Sequence, residues 1–192
     1  MAEKVEGTLM IIGGAEDKKG ECIILRKLVE LSKKREGNLI VMTAATEHPE
    51  EVGKEYIDIF DKLGSDGAFA VHIHSREDAN NIQYGQLIEN ASCIFFTGGD
   101  QLRITSLIGG TIAQKALFKA YKRGAVIAGT SAGASVMSET MITSGNDDDA
   151  PKKCTLKMAP GLGLLREVVI DQHFAQRGRI GRLLSAIAQN PH

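Results

Sequence analysis

Hydrophobic residues along the chain occur alternately in short continuous runs and in longer stretches with helical spacing. The short runs, bounded by glycine or polar residues, predict buried β-strands. They cover residues 9–12, 39–42, 69–73, 93–97, 125–128 and 168–170. Strands that alternate with helices in this way indicate βαβ units and a parallel sheet covered on both faces. We therefore predict the α/β class, as an open, parallel-sheet, three-layer α/β/α sandwich.

The helical stretches have apolar residues at three- and four-residue intervals. In the first, Ile24, Leu28 and Leu31 recur on one face, and Gly37 stands where a C-terminal glycine would end the helix. The apolar positions of residues 52–63 predict a second amphipathic helix. Three more helices are predicted over residues 101–108, 111–122 and 180–189.

The least regular stretch of the chain is residues 144–162, which is polar and punctuated by glycine and proline. We interpret it as a surface excursion or flap. No internal repeat or linker divides the sequence, and 192 residues suit one domain better than two. We expect a single α/β domain over residues 1–192.

Charge and cysteine content narrow the class of protein. The 23 basic and 24 acidic residues give a net charge of −1, so no overall field attracts nucleic acid or anionic lipid. The amino-terminal residues lack the apolar core of a signal peptide, and no apolar run is long enough to span a membrane. Cys22, Cys93 and Cys154 have no zinc-type spacing and are odd in number. We expect a reduced, cytoplasmic setting.

Residues 129–133 (Gly-Thr-Ser-Ala-Gly) match the Gly-x-Ser-x-Gly nucleophile elbow. They lie where the motif has meaning, directly after a predicted strand and before a predicted helix. Such a turn forces Ser131 into strained dihedral angles and exposes its hydroxyl, while the Ala132 amide at the helix N-terminus can stabilise an oxyanion. The alternative is a plain turn in which Ser131 only caps the helix.

The base that would activate Ser131 is predicted to be His173. It follows the sixth predicted strand, and open α/β sheets place their sites at the carboxyl ends of strands. The α/β-hydrolases use the order Ser, acid, His, but the chain after His173 is too short for that fold. A lone histidine at a strand end is often structural, so the assignment depends on its pairing with the elbow.

Two further clusters converge on the same edge of the sheet. The amides of Gly99 and Asp100, in the turn after the fourth strand, could supply a second oxyanion donor, although a simple βα turn is the alternative. Arg177, Arg179 and Arg182 form the densest basic cluster of the chain. Arginine forks suit carboxylate recognition, whereas a solvated helix start would explain them without a ligand.

Other polar groups do not form recognisable sites. His72 and His74 share a strand face but lack a third metal ligand, and residues 147–149 (three aspartates) read as an exposed acidic loop. The Gly13-Gly14 turn lacks the spacing of a phosphate-binding loop. We expect no metal and no cofactor.

Four motifs together resemble the cyanophycinase family of serine peptidases, which also contains dipeptidase E. The resemblance covers nearly the whole chain and rests on Ile11-Ile12-Gly13-Gly14-Ala15-Glu16-Asp17, Phe95-Phe96-Thr97-Gly98-Gly99-Asp100-Gln101, Gly129-Thr130-Ser131-Ala132-Gly133-Ala134, and Asp171-Gln172-His173-Phe174 with the three arginines. It implies a fold like that of class I glutamine amidotransferases, a nucleophilic Ser131 and a general base at His173. It also implies substrate contacts from Gln101, Asp171, Gln172, Arg177, Arg179 and Arg182.

The substrate implied by the resemblance is cyanophycin, a poly-aspartate backbone with an arginine on each β-carboxyl, released as β-Asp-Arg dipeptides. No nucleic acid, membrane or cofactor is implied, and a homodimer is left open. An α-aspartyl dipeptidase like dipeptidase E is a second hypothesis, disfavoured by the arginine cluster. A catalytically inactive module that binds acidic polymers is the third.

The sequence departs from the family pattern after Pro191. Similar proteins continue there into another strand whose Glu orients the histidine, whereas no acidic residue follows His173 in this sequence. We expect the chain as given to lack the third member of the triad. Loss of the orienting acid reduces turnover by roughly 10⁴-fold in enzymes of this type.

Overall fold

The computed structural model describes residues 6–145 and 156–189. In chain order the elements are β1 (Thr8–Ile12), α1 (Ile23–Ser32), β2 (Leu39–Met42), α2 (Pro49–Lys62), β3 (Ala68–Val71), α3 (Arg76–Ala79), α4 (Ile82–Glu89), β4 (Cys93–Phe96), α5 (Gln101–Ile108), α6 (Ile112–Lys122), β5 (Val126–Thr130), α7 (Ala132–Ser135), β6 (Thr140–Ser144), β7 (Lys157–Pro160) and α8 (Ile180–Gln189). Residues 147–149 and Cys154, considered in the sequence, lie outside the described residues.

The first five strands form one parallel sheet in the order β1-β5-β4-β2-β3. The strand that precedes Ser131 is therefore an interior strand, with β1 on one side and β4 on the other. In the register, Thr130 pairs with Ile12 and Gly129 pairs with Phe96. The turns after β1 and β4 consequently flank the elbow at the carboxyl edge of the sheet.

Side chains of the sheet alternate between two buried layers. On β2, Leu39 and Val41 pack with α1 and α2, whereas Ile40 and Met42 pack against the helices of the opposite face. Because parallel strands are buried on both faces, they read as continuously apolar runs. The predicted three-layer α/β/α sandwich is confirmed.

Glycines near the ends of α1 and α2 differ in whether they terminate the helix. Helix α2 ends in a Schellman motif, in which Gly64 (φ +85°) and Ser65 donate their amides to the carbonyls of Asp61 and Phe60. Helix α1 ends at Ser32, so Gly37 is not its C-terminal glycine. Its buried face is also rotated from the prediction and comprises Leu25, Leu28, Val29 and Ser32, with Ile24 exposed.

The sixth predicted strand is wrong. Residues 168–170 form no strand; Val169 packs beside the small cluster of Ile142, Leu156 and Ala186 that lies under α8. The remaining strands, β6 and β7, pair with each other as a separate antiparallel ribbon. Part of the stretch interpreted as a flap is therefore β7. Among the described residues, no helix has the length and apolar character needed to cross a membrane.

Candidate active site

Ser131 lies in a strained turn between β5 and α7. Its φ and ψ angles are 52° and −107°, a region that costs a non-glycine residue about 1–3 kcal/mol. Its amide donates to the carbonyl of Ile12 at 3.0 Å, which ties the turn to β1. A Cβ at Gly133 would lie 2.7 Å from Cβ of Phe96, so the elbow requires glycine there. The geometry is that of a nucleophile elbow.

His173 reaches Ser131 from a loop rather than from a strand. The distance between His173 Nε2 and Ser131 Oγ is 3.0 Å across 42 residues of sequence. The loop is held by the His173 amide, which donates to the Gly13 carbonyl at 2.7 Å. A Cβ at Gly14 (φ +106°) would lie 2.5 Å from Nε2, so this glycine makes room for the imidazole.

The surroundings of His173 favour the neutral imidazole. Burial lowers the pKa of His173, and the charges of Arg177 and Arg179 lower it further, while the Glu16 carboxylate opposes them. A neutral ring can accept the hydroxyl proton of Ser131. Among the described residues, no carboxylate accepts a hydrogen bond from Nδ1 of His173.

Two backbone amides beside Ser131 are open to a ligand oxygen. Within the described part of the chain, the amides of Gly99 and Ala132 donate to no protein acceptor. The ideal Cβ position of Gly98 lies 3.6 Å from Cβ of Ser131, which brings the turn after β4 next to the nucleophile. The Asp100 amide, also predicted as an oxyanion donor, instead donates to the Ala45 carbonyl at 2.9 Å. That amide is therefore occupied.

Two of the three predicted substrate-binding arginines are buried in a cluster with Asp171. Arg182 makes a two-pronged hydrogen bond to Asp171 through Nε and Nη2, and the two side chains are only 7% and 1% exposed. Arg179 donates to the carbonyl and the side-chain oxygen of Gln172 at 2.6 and 3.1 Å. These two side chains hold the residues that precede His173, and their predicted contacts with substrate stay a prediction.

The remaining predicted contacts lie on either side of the elbow. Arg177 is exposed, and its amide donates to the carbonyl of His173. Gln101 is buried, and its Nε2 donates to the carbonyls of Ile142 and Thr143, so it connects α5 to β6. Of the arginine cluster, Arg177 is the exposed member.

Sequence analysis assigned no role to Glu16, which the structure places beside Ser131 and His173. Its two carboxylate oxygens accept hydrogen bonds from Tyr56 and Thr130, each at 2.5 Å. Burial, reinforced by the Glu16 charge, raises the pKa of Tyr56 far above its ordinary value, so the phenol stays protonated and donates. The position of Glu16 after β1 could have indicated that it lies at this site, but only with the knowledge that β1 is next to β5.

These groups surround a cavity of about 280 Å³ at the carboxyl edge of the sheet. Ser131, His173, Glu16, Tyr56 and Gly98 contribute to its walls. The cavity thus brings together a serine hydroxyl, an imidazole and a fixed carboxylate. In the described residues, no group of three or more His, Cys, Asp or Glu side chains is arranged to hold a metal ion.

Comparison with known proteins agrees with this geometry. The family model of peptidase family S51 matches residues 9–192. The chain is 34% identical to a cyanophycinase of Geminocystis herdmanii over 192 residues, and 37% identical to one of Trichormus variabilis over 184. These alignments cover 100% and 95% of this chain but 71% and 62% of the two relatives.

A solved structure supports the fold. A peptidase from an acI-B1 actinobacterium superposes with a TM-score of 0.72 at 23% identity, covering 91% of this chain and 71% of that one. The predicted resemblance and the predicted serine peptidase class are both confirmed at the level of the family. By its sequence over residues 9–192 and by its sandwich fold, the chain belongs to peptidase family S51.

Proposed function

We propose that this chain is a serine exopeptidase that hydrolyses cyanophycin to β-Asp-Arg dipeptides. The observation that carries the proposal is the 3.0 Å contact between Ser131 Oγ in its strained elbow and His173 Nε2. Nucleophile and base within hydrogen-bond reach are the signature of covalent catalysis. The substrate is inferred from the relatives, which are cyanophycinases.

The proposed reaction runs through an acyl-enzyme. Ser131 Oγ attacks the carbonyl carbon of the scissile bond while His173 Nε2 takes the hydroxyl proton. The negative charge that develops on the carbonyl oxygen is received by the open amides of Gly99 and Ala132. His173 then protonates the leaving amine, and in the second half it activates the water that releases the acyl group.

Charges around the cavity suit a substrate with both signs. Each unit of the polymer carries a carboxylate and a guanidinium group. The exposed Arg177 can receive the carboxylate, and the fixed carboxylate of Glu16 offers an acceptor for a cation. In this proposal, the loop that carries His173 is held by Asp171, Arg179 and Arg182. These three residues support the reaction by positioning His173.

The first test is Ser131→Ala. Release of β-Asp-Arg from cyanophycin should fall to the rate measured without enzyme, and labelling by a fluorophosphonate probe should disappear. The melting temperature should change little, because only a hydroxyl is removed. Ser65→Ala, at a partly exposed serine after α2, is the matched control and should keep both activities.

Two results would contradict the proposal. One is a Ser131→Ala variant that hydrolyses the polymer at the rate of the unmodified protein, which would remove Ser131 from the chemistry. The other is faster cleavage of an α-aspartyl dipeptide than of cyanophycin, which would indicate that the chain is an α-aspartyl dipeptidase.

A further inference from the structure

A second and larger cavity lies at the carboxyl edge of the sheet. Its volume is about 610 Å³, and the charged side chains of Glu47, Asp100 and Arg103 contribute to its walls together with Pro160 of β7. This volume falls within the range of binding sites for small organic ligands. None of these charged groups takes part in the proposed chemistry at Ser131.

The order of the strands places this cavity beside the catalytic one. Ser131 follows β5, Asp100 follows the neighbouring strand β4, and Ala45 follows the next strand, β2. The Asp100 amide donates to the Ala45 carbonyl, so the two turns form one continuous rim. Adjacent strands are about 4.8 Å apart, and an extended chain that leaves Ser131 along this edge therefore reaches the second cavity within one or two residues.

Arg103 is the unusual group in this cavity. Its Nε is buried and has no hydrogen-bond partner within residues 6–145 and 156–189. In the same residues its guanidinium group takes part in no ion pair. A buried N–H of a charged group left without a partner is costly, and such groups are normally satisfied by an acceptor that is bound there.

Opposite charge is available on the same walls. Asp100 uses Oδ1 to accept from the amide of Leu102 at 2.8 Å, and its Oδ2 accepts from none of the described residues. Glu47 is exposed and forms no ion pair in that part of the chain. The cavity therefore offers one guanidinium donor and two carboxylate acceptors without pairing them to one another.

We propose that this cavity is a subsite for a further β-Asp-Arg unit of the substrate polymer. The carboxylate of that unit binds Arg103, and its guanidinium group binds Glu47 and Asp100. The proposal rests on the proposed function, since it assumes that an arginine-bearing aspartate polymer occupies the site at Ser131. A purely acidic polymer fits poorly because two carboxylates stand beside the single arginine.

Substrates of different length can distinguish binding at this subsite from binding at the site of Ser131. We would measure kcat/KM on an oligomer of two β-Asp-Arg units, which fills only the site at Ser131, and on an oligomer of four. The unmodified protein should prefer the longer oligomer. Arg103→Met should lower kcat/KM for the four-unit oligomer about tenfold, the value of one lost charge-assisted hydrogen bond, and leave the two-unit oligomer within about twofold.

Glu47→Gln is a second variant that carries no risk to the fold, because Glu47 is exposed, and it should reduce the same preference. Arg26→Met, at an exposed arginine of α1, is the matched control and should change neither substrate. Equal effects of Arg103→Met on both oligomers, or no effect on either, would overturn the subsite.

Binding keeps the two proposals distinguishable. In the Ser131→Ala background, calorimetry should give tighter binding of the four-unit than of the two-unit oligomer, and Arg103→Met should remove that difference. If the unmodified protein hydrolyses neither oligomer, the proposed function fails. The binding difference then still decides the subsite, and equal affinities for the two oligomers would refute it.

Discussion

The pKa of His173 is set by neighbouring groups that act in opposite directions. Burial and the guanidinium groups of Arg177 and Arg179 lower it, whereas the Glu16 carboxylate raises it. As a base in the proposed reaction, His173 must be neutral, so activity is lost when the pH falls below its pKa. The acid limb of the kcat/KM profile should therefore lie below the ordinary pKa of histidine.

Glu16→Gln tests this balance. The substitution removes the one charge that raises the pKa of His173, so that pKa should fall and the acid limb should move to lower pH. The measurement is kcat/KM as a function of pH on a short oligomer. Glu30→Gln, at an exposed glutamate on α1, is the control and should leave the profile in place. An unchanged midpoint in Glu16→Gln, or one displaced to higher pH, would remove Glu16 from the electrostatics of the site.

At this scale the sequence predicted the pairing of Ser131 and His173 but not their supports. Each of the two follows an apolar run, and sites gather at the carboxyl ends of strands. The roles of Glu16 and Gly14 were missed because these residues come near Ser131 and His173 only when β1 lies beside β5. The order of strands in a sheet cannot be predicted from local sequence patterns. The burial of Arg182 was not predicted, because arginine is seldom buried without a partner and the partner, Asp171, lies eleven residues away in sequence.

The loop before α8 has no regular secondary structure, yet it holds His173, the proposed base. His173 adopts a positive φ of 50°, and Asp171 lies buried two residues before it. The buried pair with Arg182 links this loop to the first turn of α8. Removing Arg182 would leave the buried Asp171 carboxylate with only its 3.7 Å contact to Arg179 as charge compensation.

Arg182→Met should therefore lower the free energy of unfolding by about 3–5 kcal/mol. Urea denaturation would measure it, with Arg26→Met expected to change it by less than about 0.5 kcal/mol as an exposed control. The double variant Asp171→Asn/Arg182→Met should be less destabilised than the sum of the two single variants, since the Asp171 charge is then removed together with its main partner. Strict additivity would mean that the pair contributes no coupling.

Elements of the main sheet were the predictable part of the fold. Five apolar runs became the five parallel strands, because burial on both faces leaves a continuous pattern in the sequence. Residues 168–170 carry a similar pattern for another reason, since Val169 and Ile170 pack under neighbouring elements without pairing. The ribbon of β6 and β7 was missed because β7 contains a lysine and a proline, both poor strand signals.

The hydrophobic core is much larger around the parallel sheet than under α8. Large buried clusters cover both faces of the parallel sheet, whereas α8 and the β6-β7 ribbon share a small cluster of Ile142, Leu156 and Ala186. The buried positions of α8 are Arg182, Ser185 and Ala186. Three of its four large apolar residues are exposed: Ile180 by 64%, Leu184 by 50% and Ile187 by 57%.

Burying a leucine or isoleucine side chain contributes about 1.5–3 kcal/mol to stability, and the exposed residues of α8 lack this contribution. The free energy needed to unfold α8 locally should therefore be lower than that needed to unfold the sheet. His173 is tied to α8 through Asp171 and Arg182, so this opening should separate the histidine from Ser131. In native-state hydrogen exchange, the amides of α8 should be less protected than those of β4 and β5. In increasing urea, activity should be lost before the far-ultraviolet circular dichroism of the sheet and helices changes. Coincident transitions with equal protection of α8 and β4 would instead show that the chain unfolds as one cooperative unit.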